Sequence, residues 1–297
     1  MRLLNYYKYL FAFSGLILVA GIVSLAVFGL KLGIDFKGGT VSEIEFNQTF
    51  DQDKVRSDLD DDEIKNYQLQ LTGEKGLIIR TESLEKEQHD KINADIKAQV
   101  GEFTEKRFDS FGPTVGEELK KKAIYQLLLV SLGIVIYIAY AFRKVNRPMT
   151  SWQFGISAII SLLHDLLIVL GIFSLLGHFY NVEIDSLFVT AMLTVLGFSV
   201  HDTIIVFDRI RENLKVYAGQ STEFIVNHSI SQTLVRSLNT SLTVLFVLLA
   251  MLLFGGETIR FFVLALFIGI AAGTYSSIFV AAPMLVLIQD WRNRKRK

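Results

Sequence analysis

The 297-residue chain has no cysteine and only 3 prolines. Without cysteine there can be no disulfide, thiolate metal site or cysteine nucleophile. So little proline excludes collagen-like and proline-rich disordered classes. An overall excess of either charge is missing too, since 30 Lys and Arg balance 30 Asp and Glu. That balance conceals two regions of opposite sign. Residues 36–115 hold 18 acidic and 11 basic residues, and the remainder holds 12 acidic and 19 basic, the latter gathered in short runs between apolar stretches.

What the chain has in excess is apolar surface: 51% hydrophobic residues, 23 of them Phe, and a mean hydropathy of +0.39. A transmembrane helix needs about 20 predominantly apolar residues. Six segments qualify: Leu10 to Leu30, Ala123 to Phe142, Ser151 to Leu176, Ser186 to Phe207, Thr233 to Phe254 and Arg260 to Ile288. The first is longer than a signal-peptide core and no A-x-A site follows it, so it reads as a retained helix.

Lys and Arg in short loops mark the cytoplasmic side. Arg143, Lys144 and Arg147 follow the second helix; Arg209, Arg211 and Lys215 follow the fourth; Arg292, Arg294, Lys295, Arg296 and Lys297 form the tail. The loop Gly177 to Asp185 has none. Both termini are expected in the cytoplasm. Lys31 and Lys120 to Lys122 lie on the other side, but they flank a long insert that escapes the rule.

That insert alternates like a small α+β domain. Val41 to Phe46 reads as a strand, Asp51 to Ile64 as an acidic amphipathic helix, and Tyr67 to Leu71 with Leu77 to Arg80 as a hairpin around Thr72 to Gly76. Leu84 to about Val100 reads as a second helix and Phe103 to Phe111 as a last strand. The order βαββαβ predicts a ferredoxin-like fold. The fold class is therefore an α-helical polytopic membrane protein with six transmembrane helices and an external α+β ferredoxin-like domain between helices 1 and 2. Its expected segments are 1–32 (cytoplasmic N-terminus and first helix), 33–119 (external domain), 120–290 (helices 2 to 6) and 291–297 (basic cytoplasmic tail).

Ionisable residues inside the spans are functional hypotheses, because each costs about 2.5–3.5 kcal/mol to insert. Asp165, preceded by His164, lies on the order of 21 Å into the third helix at 1.5 Å per residue. Asp202, preceded by His201, lies roughly 8 Å from the expected end of the fourth helix. Arg236 is three residues into the fifth. Asp202 and Arg236 thus stand at comparable depth, and Asp165 is expected too deep to join them without water. A structural ion pair that only fixes packing and a proton relay remain open for Asp202 and Arg236. His201, Asp165 and His164 are secondary relay candidates, with structural roles equally open. Ser199, Thr203, Ser237, Asn239, Thr240 and Ser241 suggest a hydrated seam. The residues before Asp202 are not the Gly-x-Gly-Asp turn of an intramembrane aspartyl protease, and no third ligand suits a metal. No cofactor is indicated. Gly38-Gly39 lacks the spacing of a phosphate loop and reads as a tight turn. Small residues from Gly269 to Ala282 permit close packing, either within the chain or against a partner.

The segments Gly33 to Thr40 (GIDFKGGT), Phe111 to Leu119 (FGPTVGEEL), Gly197 to Asn213 (GFSVHDTIIVFDRIREN), Ser231 to Gly256 and Gly269 to Leu285 together resemble the SecF family. Its members are smaller subunits of the bacterial SecD/SecF translocation complex, itself similar to half of an RND-type transporter. The resemblance leaves only residues 47–105 without a distinctive motif. It implies a non-enzymatic, multi-pass subunit of the bacterial plasma membrane with Gly33, Asp35, Gly38 and Gly39 in a signature loop. Asp202 and Arg236 would correspond to the family's proton-conducting pair, with His201 where Asn is common. The implied partners are a separate SecD, the SecYEG channel, other Sec accessory membrane subunits, an unfolded secretory chain, protons and the lipid bilayer, with no nucleic acid. The rival reading is half of a proton-coupled exporter of small or lipid-like molecules. The external insert of about 80 residues is small for a drug-capturing funnel.

Overall fold

The computed structural model describes residues 7–61, 64, 67–143 and 149–295. Lys144, Arg147, Arg296 and Lys297 of the orientation argument lie outside the described residues, as does the stretch 62–63 of the expected acidic helix. The chain divides into two units, Leu32–Ile124 and the remainder.

The smaller unit follows α1 (Tyr7–Phe28). It opens with the single helical turn α2 (Ile34–Lys37) and continues through β1 (Gly39–Phe46), α3 (Gln52–Asp61), β2 (Gln68–Thr72), β3 (Gly76–Thr81), α4 (Lys86–Gln99) and β4 (Phe103–Phe111). The sheet order is β2-β3-β1-β4, with every neighbouring pair antiparallel. This is the split βαβ topology of a ferredoxin-like domain. Alternation in β1 sends Ser42, Ile44 and Phe46 to one face, where Ile44 and Phe46 join Val55 and Leu59 of α3 and Ile92 and Ile96 of α4 in the core. Helix α4 is started by a capping box between Glu85 and Gln88.

The entrance to the sheet explains the double glycine. Gly38 and Gly39 adopt φ of +79° and +139°, backbone open mainly to glycine. A Cβ on Gly38 would lie 2.8 Å from Pro113 Cα, and one on Gly39 2.8 Å from the Thr81 carbonyl. Gly116 closes on the same corner, since its Cβ would lie 2.8 Å from the Gly38 nitrogen. Gly33 caps α2 in an extended conformation, and Asp35 lies in that turn.

The larger unit contains α1, most of α5 (Pro113–Ala141), α6 (Ser151–Tyr180), α7 (Ser186–Val216), α8 (Thr222–Phe254), α9 (Glu257–Ser276) and α10 (Ala282–Arg294). Helices α9 and α10 form one span joined by the π-helical turn Ser277–Ala281. Pro283, near the start of α10, has no N–H and its ring crowds the preceding turn, which accounts for the wider turn there. The described residues contain six helices long and apolar enough to cross a membrane.

Two helices are longer than hydropathy suggests. Helix α7 continues beyond Phe207 to Val216, and α8 begins at Thr222 rather than Thr233. Their polar ends pair with each other: Asn213 donates to Ser229 Oγ at 2.8 Å, and Arg209 donates to Gln232 at 2.6 Å. A hydropathy window records where side chains turn polar, which need not be where the helix ends.

Helix α1 runs alongside α6 in fixed register. Ser14 meets His164, Gly21 meets Gly171 and Ser24 donates to Ser174 at 2.9 Å, each pair separated by 150 residues. The seam is made of small and hydroxyl side chains, as close approach in a membrane requires.

A buried hydroxyl and carboxylate layer in the helical bundle

The intramembrane charges are staggered along the bundle: Ser199, three residues before Asp202, meets Asp165, and Ser241, five residues after Arg236, meets Asp202. Asp165 is fourteen residues after the start of α6, Asp202 fourteen before the end of α7, and Arg236 fourteen after the start of α8. The expected separation in depth between the two acids is reduced by the structure to about one helical turn. Ser199 of α7 donates to Asp165 Oδ2 at 2.5 Å, and Ser199 is a single turn from Asp202. The difference came from ending the fourth helix at Phe207.

Asp202 is fully buried. Its Oδ2 accepts from Ser241 of α8 at 3.2 Å and from Thr274 of α9 at 3.4 Å, and Thr274 also donates to Ser241 at 2.7 Å. Its Oδ1 has no hydrogen-bond partner, and neither has the buried Ser237 hydroxyl. Helix α9 reaches Asp202 because Gly269 and Gly273 face Val195 and Ser199 of α7; a Cβ on Gly273 would lie 3.0 Å from Ser199 Cβ. Those small residues therefore serve packing within the chain.

Arg236 is not paired with Asp202 in this structure. It is exposed and lines a cavity of about 410 Å³ between α7 and α8, together with Thr233, Gln232, Asp208, Arg209 and Glu212. Arg209 is engaged by Glu212 and Gln232, and Arg211 by Asp208. His201 is exposed, because consecutive helical residues point about 100° apart and Asp202 takes the inward direction. Within the expected seam, Ser199, Thr203, Ser237 and Ser241 are buried. Asn239 and Thr240 are exposed, and Thr240 returns its hydroxyl to the Arg236 carbonyl at 2.8 Å.

Asp165 and His164 are both buried, 1% exposed. His164 Nδ1 lies 2.9 Å from Asp165 Oδ1, and Ser276 donates to Asp165 Oδ2 at 2.8 Å. On the other side of the ring, Nε2 lies 3.0 Å from Ser14 Oγ of α1. Thr274, Ser14 and Tyr275 had not been singled out in the sequence. Their one signal is a polar group within an apolar run, which many packing serines share. Among the described residues, no group of three or more His, Cys, Asp or Glu is placed to hold a metal.

Comparison with known proteins adds a family context. Residues 91–291 match the family described as "Protein export membrane protein SecD/SecF, C-terminal", and residues 23–49 match the "SecD/SecF GG Motif". The second match contains Gly38 and Gly39. The chain is 48% identical over 293 residues to the protein translocase subunit SecF of Thermobaculum terrenum, covering 95% of this chain and 90% of that protein. It is 42% identical over 293 residues to the SecF of Anaerolinea thermophila, covering 96% and 94%. Among solved structures, SecDF from Thermus thermophilus, a translocon-associated membrane protein, superposes with a TM-score of 0.83 at 32% identity. The match takes in 99% of this chain but spans only 39% of that longer chain. SecDF in a super-membrane-facing form gives a TM-score of 0.72 at 31% identity, over 100% and 40%.

Proposed function

The chain belongs to the SecD/SecF family of protein-export membrane proteins as a SecF-type translocase subunit, and from that premise we propose that it works with SecD to use the proton-motive force in drawing secreted chains through the SecYEG channel. In this reading both termini face the cytoplasm of a bacterial cell and residues 33–119 form the extracytoplasmic domain that moves. Other Sec accessory membrane subunits would join the assembly.

Asp202 is the proton acceptor and Arg236 its exchangeable counter-charge. An arriving proton converts the Asp202 carboxylate to a neutral acid and releases any hold on the guanidinium; its departure restores the charge and the attraction. The α7–α8 pair is then the bistable element, alternating between paired and separate charges. One observation carries this assignment. An acid with an unpartnered oxygen is sealed in the bundle while the arginine of the neighbouring helix stands apart in a cavity that also holds Asp208, Arg209 and Glu212. One charge crossing the membrane releases about 2.3 kcal/mol per 100 mV, enough to shift a two-state equilibrium by roughly fiftyfold.

The test is late-stage export into inverted membrane vesicles under an imposed proton gradient, with ATP throughout, comparing the native protein with Asp202→Asn. Stimulation by the gradient should vanish while the variant still co-purifies with SecD. Persisting stimulation in an assembled complex would make Asp202 structural.

A further inference from the structure

A second buried acid takes no part in that relay. Asp165 and His164 sit at the middle of α6 with every polar atom engaged, and their bonds reach α1, α7 and α9. We propose that His164 and Asp165 form a second proton-binding site, separate from Asp202, which holds one proton between imidazole and carboxylate and signals its loading to α1 through Ser14 and Tyr275.

Counting hydrogens along the chain carries the inference. Tyr275 donates its only hydroxyl hydrogen to the Leu10 carbonyl at 3.2 Å. Ser14 has one hydrogen and two acceptors for it, Tyr275 Oη at 3.4 Å and His164 Nε2 at 3.0 Å. With the hydrogen on Tyr275, Ser14 Oγ is left as an acceptor and Nε2 carries a hydrogen, which is the loaded arrangement; with it on Nε2, the imidazole carries its hydrogen on Nδ1. Asp165 Oδ2 already accepts from Ser199 and Ser276. In the loaded arrangement one further proton therefore lies in the Nδ1 to Oδ1 contact, whether as a neutral pair or as imidazolium with carboxylate. Either form leaves the buried pair without net charge.

Release follows the same bonds. Nε2 passes its proton to Ser14 Oγ, Ser14 passes its own hydrogen to Tyr275 Oη, and the half-buried phenol gives its hydrogen to water. The pair is left as an ionised Asp165 and a neutral His164 with hydrogen on Nδ1. Every bond in the chain is then reversed: Ser14 donates to Nε2, Tyr275 donates to Ser14, and the Leu10 carbonyl of α1 loses its donor. The ionisable groups on the surrounding elements are Asp202 and the exposed His201 on α7, Arg236 on α8 and Tyr275 on α9, while α1 presents Ser14. Asp202 is bonded to Ser241 and Thr274 rather than to this chain, so the two sites load separately.

Nitrogen-15 NMR of histidine in the full chain, co-assembled with SecD in lipid bilayers, reads the site directly. The protein has 5 histidines, and His164 is assigned by the signal lost in His164→Gln. The expected result is a hydrogen on Nε2 in the loaded form and on Nδ1 alone in the released form, the two exchanging as pH is raised. That change should be lost in Asp165→Asn, altered in Ser14→Ala, restored in Ser14→Thr, and kept in Asp202→Asn. A His164 signal with hydrogen on Nδ1 alone at every pH at which the complex stays assembled, indifferent to Asp165→Asn, would overturn the proposal. So would a pH response abolished by Asp202→Asn, which would make the pair an extension of the first site. Neither result bears on whether Asp202 conducts protons.

Discussion

Gly21 and Gly171 bring the backbones of α1 and α6 into contact: a Cβ on Gly171 would lie 2.5 Å from the Gly21 Cα. The same register sets Ser14 against His164 one way along the seam and Ser24 against Ser174 the other. The close approach is what allows a serine of the first helix to reach a histidine buried in the bundle.

Gly171→Ala should therefore lower thermal stability by about 1–3 kcal/mol, the usual cost of overpacking, because the obstacle is backbone that cannot rotate away. Gly155→Ala, on the same helix with open space around its Cβ, should be neutral or mildly stabilising. Thermal unfolding of the two variants in one detergent compares them, and equal midpoints would contradict the contact.

Serines in the bundle should divide by partner. Ser199→Ala removes a donor to Asp165 and should cost about 1–3 kcal/mol. The buried Ser157 hydroxyl has no partner, so Ser157→Ala should be neutral or gain stability. A denaturation series on both variants decides it, with an equal loss counting against the hydrogen-bond assignment.

Gly38→Ala should destabilise the α+β domain by roughly 1–3 kcal/mol, since it combines a positive φ with a clash against Pro113. Gly73→Ala tests the conformational part alone, because its φ is +68° but nothing lies near its Cβ. Protease resistance of residues 33–119 should fall further for Gly38→Ala.

A surface pair gives a pH prediction. Lys106 Nζ lies 2.8 Å from Glu45 Oε2. The hydrogen bond from Lys106, then its charge, holds the Glu45 carboxyl below its ordinary value, and Glu45 holds the Lys106 amine above its own. The Glu45 contribution is present above the usual carboxylate range and lost as pH falls through the lowered value. The Lys106 contribution is present below about pH 10 and lost as pH rises through the raised value. Both groups are exposed, so the effect on stability is small. Lys106→Ala should raise the Glu45 titration midpoint toward that of a free glutamate in carboxyl carbon-13 NMR; an unmoved midpoint would mean no pair in solution.

Legibility differed by element. The six spans, the alternation of β1 and the turn at Gly38-Gly39 were readable because each depends on residues near in sequence. The ends of α7 and α8 were not, since Asp208 to Lys215 form good helix in water and hydropathy falls there without the helix stopping. That error exaggerated the difference in depth between Asp165 and Asp202. Thr274, Ser14 and Tyr275 carried too little individual signal to be singled out.

Alone, the sequence determined where apolar length and charge allow membrane crossing, the strand and helix order of the insert, and which few ionisable residues lie within the spans. These follow from local transfer costs and backbone preference. Only the tertiary structure decided that Asp202 turns toward Ser241 and Thr274 while His201 turns outward, that Arg236 stands apart, and that Asp165 joins His164 to Ser14. Those outcomes depend on the rotation and offset of each helix, which small-residue contacts such as Gly21 with Gly171 and Gly273 with Ser199 set between positions far apart in the chain.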